Sequence, residues 1–192
     1  MNIVFNRLKK TLVSVAIVAV LQVLSTTVLA GPKQLDILGL VPGVSDVSQI
    51  RQVAVEYNES QSILRIEIGG EKTPCNLDLL NGKLAQLLCL TGNERGRTRY
   101  TDAPNTEVHL TLKVGFTKKF GKPDTVISNP LRTRMGVQYQ QEIVTWEDLR
   151  GNRLSLVSIS GSIDTGYFSV QSSEYLKQEA EKKIANDSMK KF

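Results

Sequence analysis

The chain has 192 residues, 41% hydrophobic and 22% charged, with 24 basic and 19 acidic side chains and a formal net charge of +5. No low-complexity run or long charge block interrupts it, which excludes a disordered or fibrous chain. A single histidine and two cysteines leave too few ligands for a Cys/His zinc site.

Residues 1–30 read as a cleavable secretory signal peptide, with the mature protein starting near Gly31. Arg7, Lys9 and Lys10 make a basic opening, and no acidic residue precedes Asp36. The apolar stretch TLVSVAIVAVLQVL follows, then STTVLA, with Val28 and Ala30 as the small residues at the cleavage point. An uncleaved anchor would need about 20 apolar residues, and this stretch is shorter and is broken by Gln22. Lipid attachment would need a cysteine at the cleavage point, and the first one is Cys75. The expectation is therefore a periplasmic or secreted protein without a stable membrane anchor. Removing the three basic residues leaves 21 basic against 19 acidic side chains. Nucleic-acid binding calls for a concentrated basic stripe, which this near-neutral mature chain does not require; Arg95, Arg97 and Arg99, and Lys118, Lys119 and Lys122, do cluster and read as a solvated loop and an exposed helix face.

In the mature chain Pro42-Gly43 marks a turn, Ser45 is the expected N-cap, and a short helix is expected over about 45–55. SILRIEIGG alternates, with Leu64, Ile66 and Ile68 on one face, and reads as a half-buried strand. Strands at about 74–80 and 84–91 flank Asn81-Gly82, a hairpin signal. In an oxidising compartment Cys75 and Cys89 are expected to form a disulfide. A two-residue turn would set Cys75 opposite Leu88. A three-residue loop with a glycine bulge sets it opposite Cys89, so the bulged loop is predicted.

Residues 93–105 are expected to be a polar linker, with Arg95, Arg97, Arg99 and Tyr100 as candidate partner-binding residues. In the next segment Val108, Leu110, Leu112, Val114 and Phe116 alternate as in a strand. Val108, Leu112, Phe116 and Phe120 are also spaced by four, and Gly121 and Pro123 then read as a helix stop. A helix is predicted. Strands are expected at about 136–146, 153–159 and 166–171, and a charged C-terminal helix is expected from a cap at Ser172 or Ser173. The fold class is thus α+β: two helix-plus-three-stranded antiparallel units, 31–92 and 106–171, packed together, with a C-terminal helix or tail at 172–192.

Two segments carry a resemblance. LGLVPGVSDVSQI (38–50) resembles the turn-and-helix opening of the small outer-membrane assembly lipoproteins, and FTKKFGKPD (116–124) resembles a helix-ending segment of the same group. The resemblance implies a helix-plus-three-strand unit of the kind duplicated in secreted β-lactamase inhibitor proteins. The chain departs from the lipoproteins in lacking a lipidation cysteine, and no functional residue is carried over.

Catalytic chemistry is sparse. No G-x-S-x-G elbow or phosphate loop is present. His109 has no partner named by the sequence and reads as a surface or satisfied core residue. Glu147-Asp148 beside Trp146 is the one carboxylate pairing that suggests an enzyme of envelope polymers. Trp146, Tyr139, Tyr167 and Phe168 form either core or a partner-binding patch, Trp146 being the candidate binding residue among them. No catalytic residue, cofactor or metal is expected. The leading expectation is a non-enzymatic protein-binding, adaptor or inhibitor module acting on an envelope protein. The alternatives are a carboxylate enzyme and a carrier of lipid or small ligands.

Overall fold

A computed structural model of the protein describes residues 33–68, 71–92, 106–132, 136–161 and 163–189. The segment read as a signal peptide and the linker with Arg95, Arg97, Arg99 and Tyr100 lie outside them. No described helix is long and apolar enough to cross a membrane.

The first half opens on an extended segment that buries Leu35, Ile37, Leu40 and Val41. Helix α1 (Val47–Val53) follows, burying Ile50. Its N-cap is Asp46 and not Ser45. The Asp46 carboxylate accepts from the N–H groups of Ser48 and Gln49, and the Gln49 amide oxygen accepts from the Asp46 N–H at 3.1 Å, a reciprocal capping box. Ser45 is unavailable for this role because its hydroxyl accepts from the Val41 N–H at 3.0 Å. Four antiparallel strands follow: β1 (Glu56–Asn58), β2 (Ile63–Ile68), β3 (Glu71–Leu80) and β4 (Lys83–Gly92).

Cys75 and Cys89 are bonded and stand directly opposite each other on β3 and β4. The register is the expected one, but the bulge lies elsewhere. The turn is a strict two-residue Asn81-Gly82, both residues at positive φ (52° and 73°), with Leu80 paired to Lys83. The extra residue is Ala85, since Asp78 pairs with Gln86 while Leu79 pairs with Leu84. The irregularity has a packing cause. Leu84 donates to the Ser45 carbonyl and its own carbonyl accepts from Gly43, while the Ala85 carbonyl accepts from Ser172. The bulge turns β4 backbone groups outward to bind two other segments, which a regular ladder could not do.

The second half repeats the plan: α2 (Thr106–Phe120), β5 (Thr125–Arg132), β6 (Gln138–Glu147), β7 (Arg153–Val157) and β8 (Thr165–Gln171). The predicted helix over the ambiguous segment is present, and it ends at Gly121, which has φ of 81°. Helix α3 (Ser173–Met189) closes the chain, with the Ser172 hydroxyl accepting from the Tyr175 N–H. From Glu179 to Ser188 every residue of α3 is exposed.

The architecture is α+β but differs from two three-stranded units. Each half has four strands, and all eight form one antiparallel sheet in the order β1-β2-β3-β4-β8-β7-β6-β5. The strands not anticipated are the two edges. β1 is three residues long, and β5 (TVISNPLR) is exposed and contains a proline, so neither carries a hydrophobic alternation. The halves join where β4 pairs with β8 through seven register positions, Gln86 with Gln171 to Gly92 with Thr165. A single core covers one face of this sheet. Phe116 of α2 packs edge-on against Trp146 and Phe168, with centroids 5.8 and 5.6 Å away. Leu64, Cys75, Cys89, Phe168, Leu156 and Val144 line up beneath from strand to strand. The opposite face carries neither α1 nor α2.

Candidate functional site

The carboxylates at the end of β6 separate. Glu147 is exposed and accepts two hydrogen bonds from the Arg153 guanidinium, at 2.7 and 2.9 Å. Asp148 is 8% exposed and sits in the β6–β7 turn. Its carboxylate accepts from the backbone N–H groups of Arg150 and Asn152 and from the Asn152 side-chain amide, all near 3.0 Å, and from Leu35 at 3.4 Å. Asn152 in turn donates to the Pro42 carbonyl and accepts from the Ser173 N–H. Asp148 and Asn152 therefore join the turn to the N-terminal segment and to the start of α3. Its acceptor capacity is fully committed to structure, and the two neighbouring carboxylates share no cleft.

A second polar cluster lies under α2. His109 Nε2 is 2.6 Å from one Glu142 oxygen, and Lys113 Nζ is 2.7 Å from the other. His109 and Lys113 are four apart, so they share a helix face. Glu142 lies in the inward phase of β6, with Val144 and Trp146. Burial pushes the Glu142 carboxyl up, but hydrogen bonds from Lys113 and His109 and their charges together hold it below the usual glutamate range. An ionised carboxylate only accepts, so Nε2 carries the hydrogen. Nδ1 is then buried with no hydrogen-bond partner among the described residues. His109 is thus a core histidine that is satisfied on one side only. The Glu142 signal was present in the sequence, as a charge in the inward phase of an alternating strand. Its partners were not, because they lie 29 and 33 residues away.

The face of the sheet away from α1 and α2 carries the remaining organised surface, with the Tyr175 hydroxyl of α3 donating to Gln86 at its β4 end, 2.8 Å away. Leu90, Tyr167, Val157, Ile143 and Ile127 stand opposite one another in turn on β4, β8, β7, β6 and β5. They form one apolar row across five strands. Val157 is sunk among its longer neighbours, Leu90, Tyr167 and Ile143 are half-buried, and Ile127 is exposed. A row of Leu88, Ser169, Ser155, Thr145 and Thr125 runs beside it. The legible signal for this surface was β4 itself, where Leu88 and Leu90 are apolar in the outward phase.

Of the aromatic residues read as core or patch, Trp146 and Phe168 are fully buried. The Trp146 indole N–H donates to the Gly121 carbonyl at 3.0 Å, so Trp146 does not belong to a partner-binding surface. Tyr167, and Tyr139 further along β6, are half-buried in the outward phase. Among the described residues no three His, Cys, Asp or Glu side chains are placed to hold a metal ion. Comparison with known protein families, curated proteins and solved structures finds no match to this chain.

Proposed function

We propose that this chain is an exported, non-enzymatic protein-binding module, an adaptor or inhibitor of the bacterial cell envelope, that binds through the open face of its sheet. The observation that carries the reading is the apolar row from Leu90 to Ile127, rimmed by Ser, Thr and Gln side chains. Apolar surface with a polar rim on a rigid sheet suits recognition of another protein's surface. The disulfide, buried at both cysteines, supports an oxidising compartment. The resemblance of residues 38–50 and 116–124 to the small assembly lipoproteins belongs to this proposal as well.

The test is a crosslinked pull-down from periplasmic extract with the native protein and with Ile143→Glu and Tyr167→Glu. A defined partner lost from both substituted proteins is the expected result. Recovery of no specific partner, or equal recovery by all three proteins, overturns the reading.

A further inference from the structure

The two edges of the sheet are unequal. β1 is three residues long, two of them exposed, whereas β5 runs for eight along the other edge, with six of them exposed. Long exposed edges are ordinarily blunted, because their unpaired N–H and C=O groups template another strand. The orientation of the β5 backbone follows from its neighbours. The Glu142 carbonyl bonds Ser158 on β7, whereas the Thr145 carbonyl turns toward Asp124 at the start of β5. Even residues of β6 therefore face β7 and odd ones face β5. By the register, Thr125, Ile127 and Asn129 bond to β6, while Val126 and Ser128 point their N–H and C=O groups outward. Pro130 occupies the next outward slot and offers no donor. It closes the pairing stretch after Ser128.

Exposed apolar side chains accompany this edge. His109 and Lys113 reach Glu142 on β6, so the next stripe around α2, Leu110 and Val114, overhangs the β5 side. These side chains are 50% and 69% exposed, and Val126, which shares the helix-side face with Val144, is 52% exposed. Lys118 continues the stripe one turn further, and Lys122 and Arg132 flank the two ends of β5. All three are exposed and have no ion-pair partner among the described residues. The carboxylate of Glu107, exposed and without an ion-pair partner among the described residues, lies on that side of α2. Asp124 is already neutralised by Lys33 at 2.6 Å.

We infer that the β5 edge accepts an extended, acidic segment of another protein as an added strand at Thr125–Asn129, with alternate apolar side chains set against Leu110, Val114 and Val126. Backbone pairing would supply the affinity and the apolar positions the specificity. The charge decides between occupants. A second copy of this chain would bring two sets of three unpaired cations together, whereas an acidic strand neutralises them. This surface is separate from the open face, and the claim stands or falls independently of what that face binds.

The test is amide hydrogen exchange by NMR on the ¹⁵N-labelled protein, with a synthetic peptide whose alternating valine–threonine core is flanked at both ends by glutamates, and a control with lysines in place of the glutamates. The expected result is at least about tenfold slower exchange at Val126 and Ser128 with the acidic peptide alone, and no change at Tyr167 or Ile143. Ser128→Pro removes an outward donor and should abolish the protection. Lys118→Glu with Lys122→Glu leaves the edge backbone intact and should transfer the preference to the lysine peptide. Absence of protection, an equal response to both peptides, or protection produced by concentrating the protein alone each overturns the inference.

Discussion

Replacing Asp148 by alanine removes one acceptor from four donors, and the structure says which of them matter. Arg150 is exposed, so water replaces the carboxylate at its N–H, and the Leu35 contact at 3.4 Å is long. The two Asn152 donors are different, since Asn152 is 2% exposed and both lie 3.0 Å from Asp148. A buried donor left unpaired costs about 1–3 kcal/mol. Asp148→Ala should therefore cost about 2–6 kcal/mol, a large part of the roughly 5–15 kcal/mol of a typical domain. Glu147→Ala, one residue away, removes only an exposed pair with Arg153 and should cost under about 1 kcal/mol. Urea unfolding followed by Trp146 fluorescence measures both. Asp148→Ala combined with Asn152→Ala should cost less than the sum of the two, because both remove the bond between the Asn152 side-chain amide and Asp148. Equal effects of Asp148→Ala and Glu147→Ala, or additivity in the double variant, would refute the reasoning.

Three further outcomes follow from the same geometry. Cys75→Ser with Cys89→Ser should lower stability by about 3 kcal/mol in urea unfolding, as expected for a closed loop of about 15 residues, and the native bond should resist dithiothreitol until denaturant is added, both cysteines being buried. Glu142 and Asp124 both have lowered folded-state values, Glu142 because cationic hydrogen bonds outweigh burial and Asp124 through Lys33. Their stabilisation is present above the ordinary carboxylate range and is lost as pH falls through the lowered values. The urea midpoint of Glu142→Gln should accordingly converge on that of the native protein under acid, and parallel curves would count against this account. A stop codon after Gln178 should change the unfolding midpoint by less than about 0.5 kcal/mol, because every residue from Glu179 to Ser188 is exposed.

What the sequence by itself determined is the local structure with strong periodicity. The strands around Ile66, Cys75, Cys89, Val144 and Phe168 alternate because one of their faces is buried, and that alternation is legible without a fold. The ending at Gly121 decided the helix over residues 106–120 because a positive φ there suits glycine. The disulfide pair was legible from Asn81-Gly82 and the expected oxidising compartment, yet its register came out right with the bulge misplaced. Whether the extra residue falls in the turn or at Ala85 depends on Gly43, Ser45 and Ser172, which are remote in sequence. The edge strand β5 was invisible for a related reason: an exposed edge has no buried face to impose a pattern, and Pro130 reads as a break until its outward slot is known. Tertiary structure alone decided that the halves merge into one sheet, that Glu142 meets His109 and Lys113, and that Asp148 is a structural hub. Each of these is a meeting of polar groups or strand edges across long separations, and hydrophobic periodicity carries no record of which distant partner satisfies a hydrogen bond.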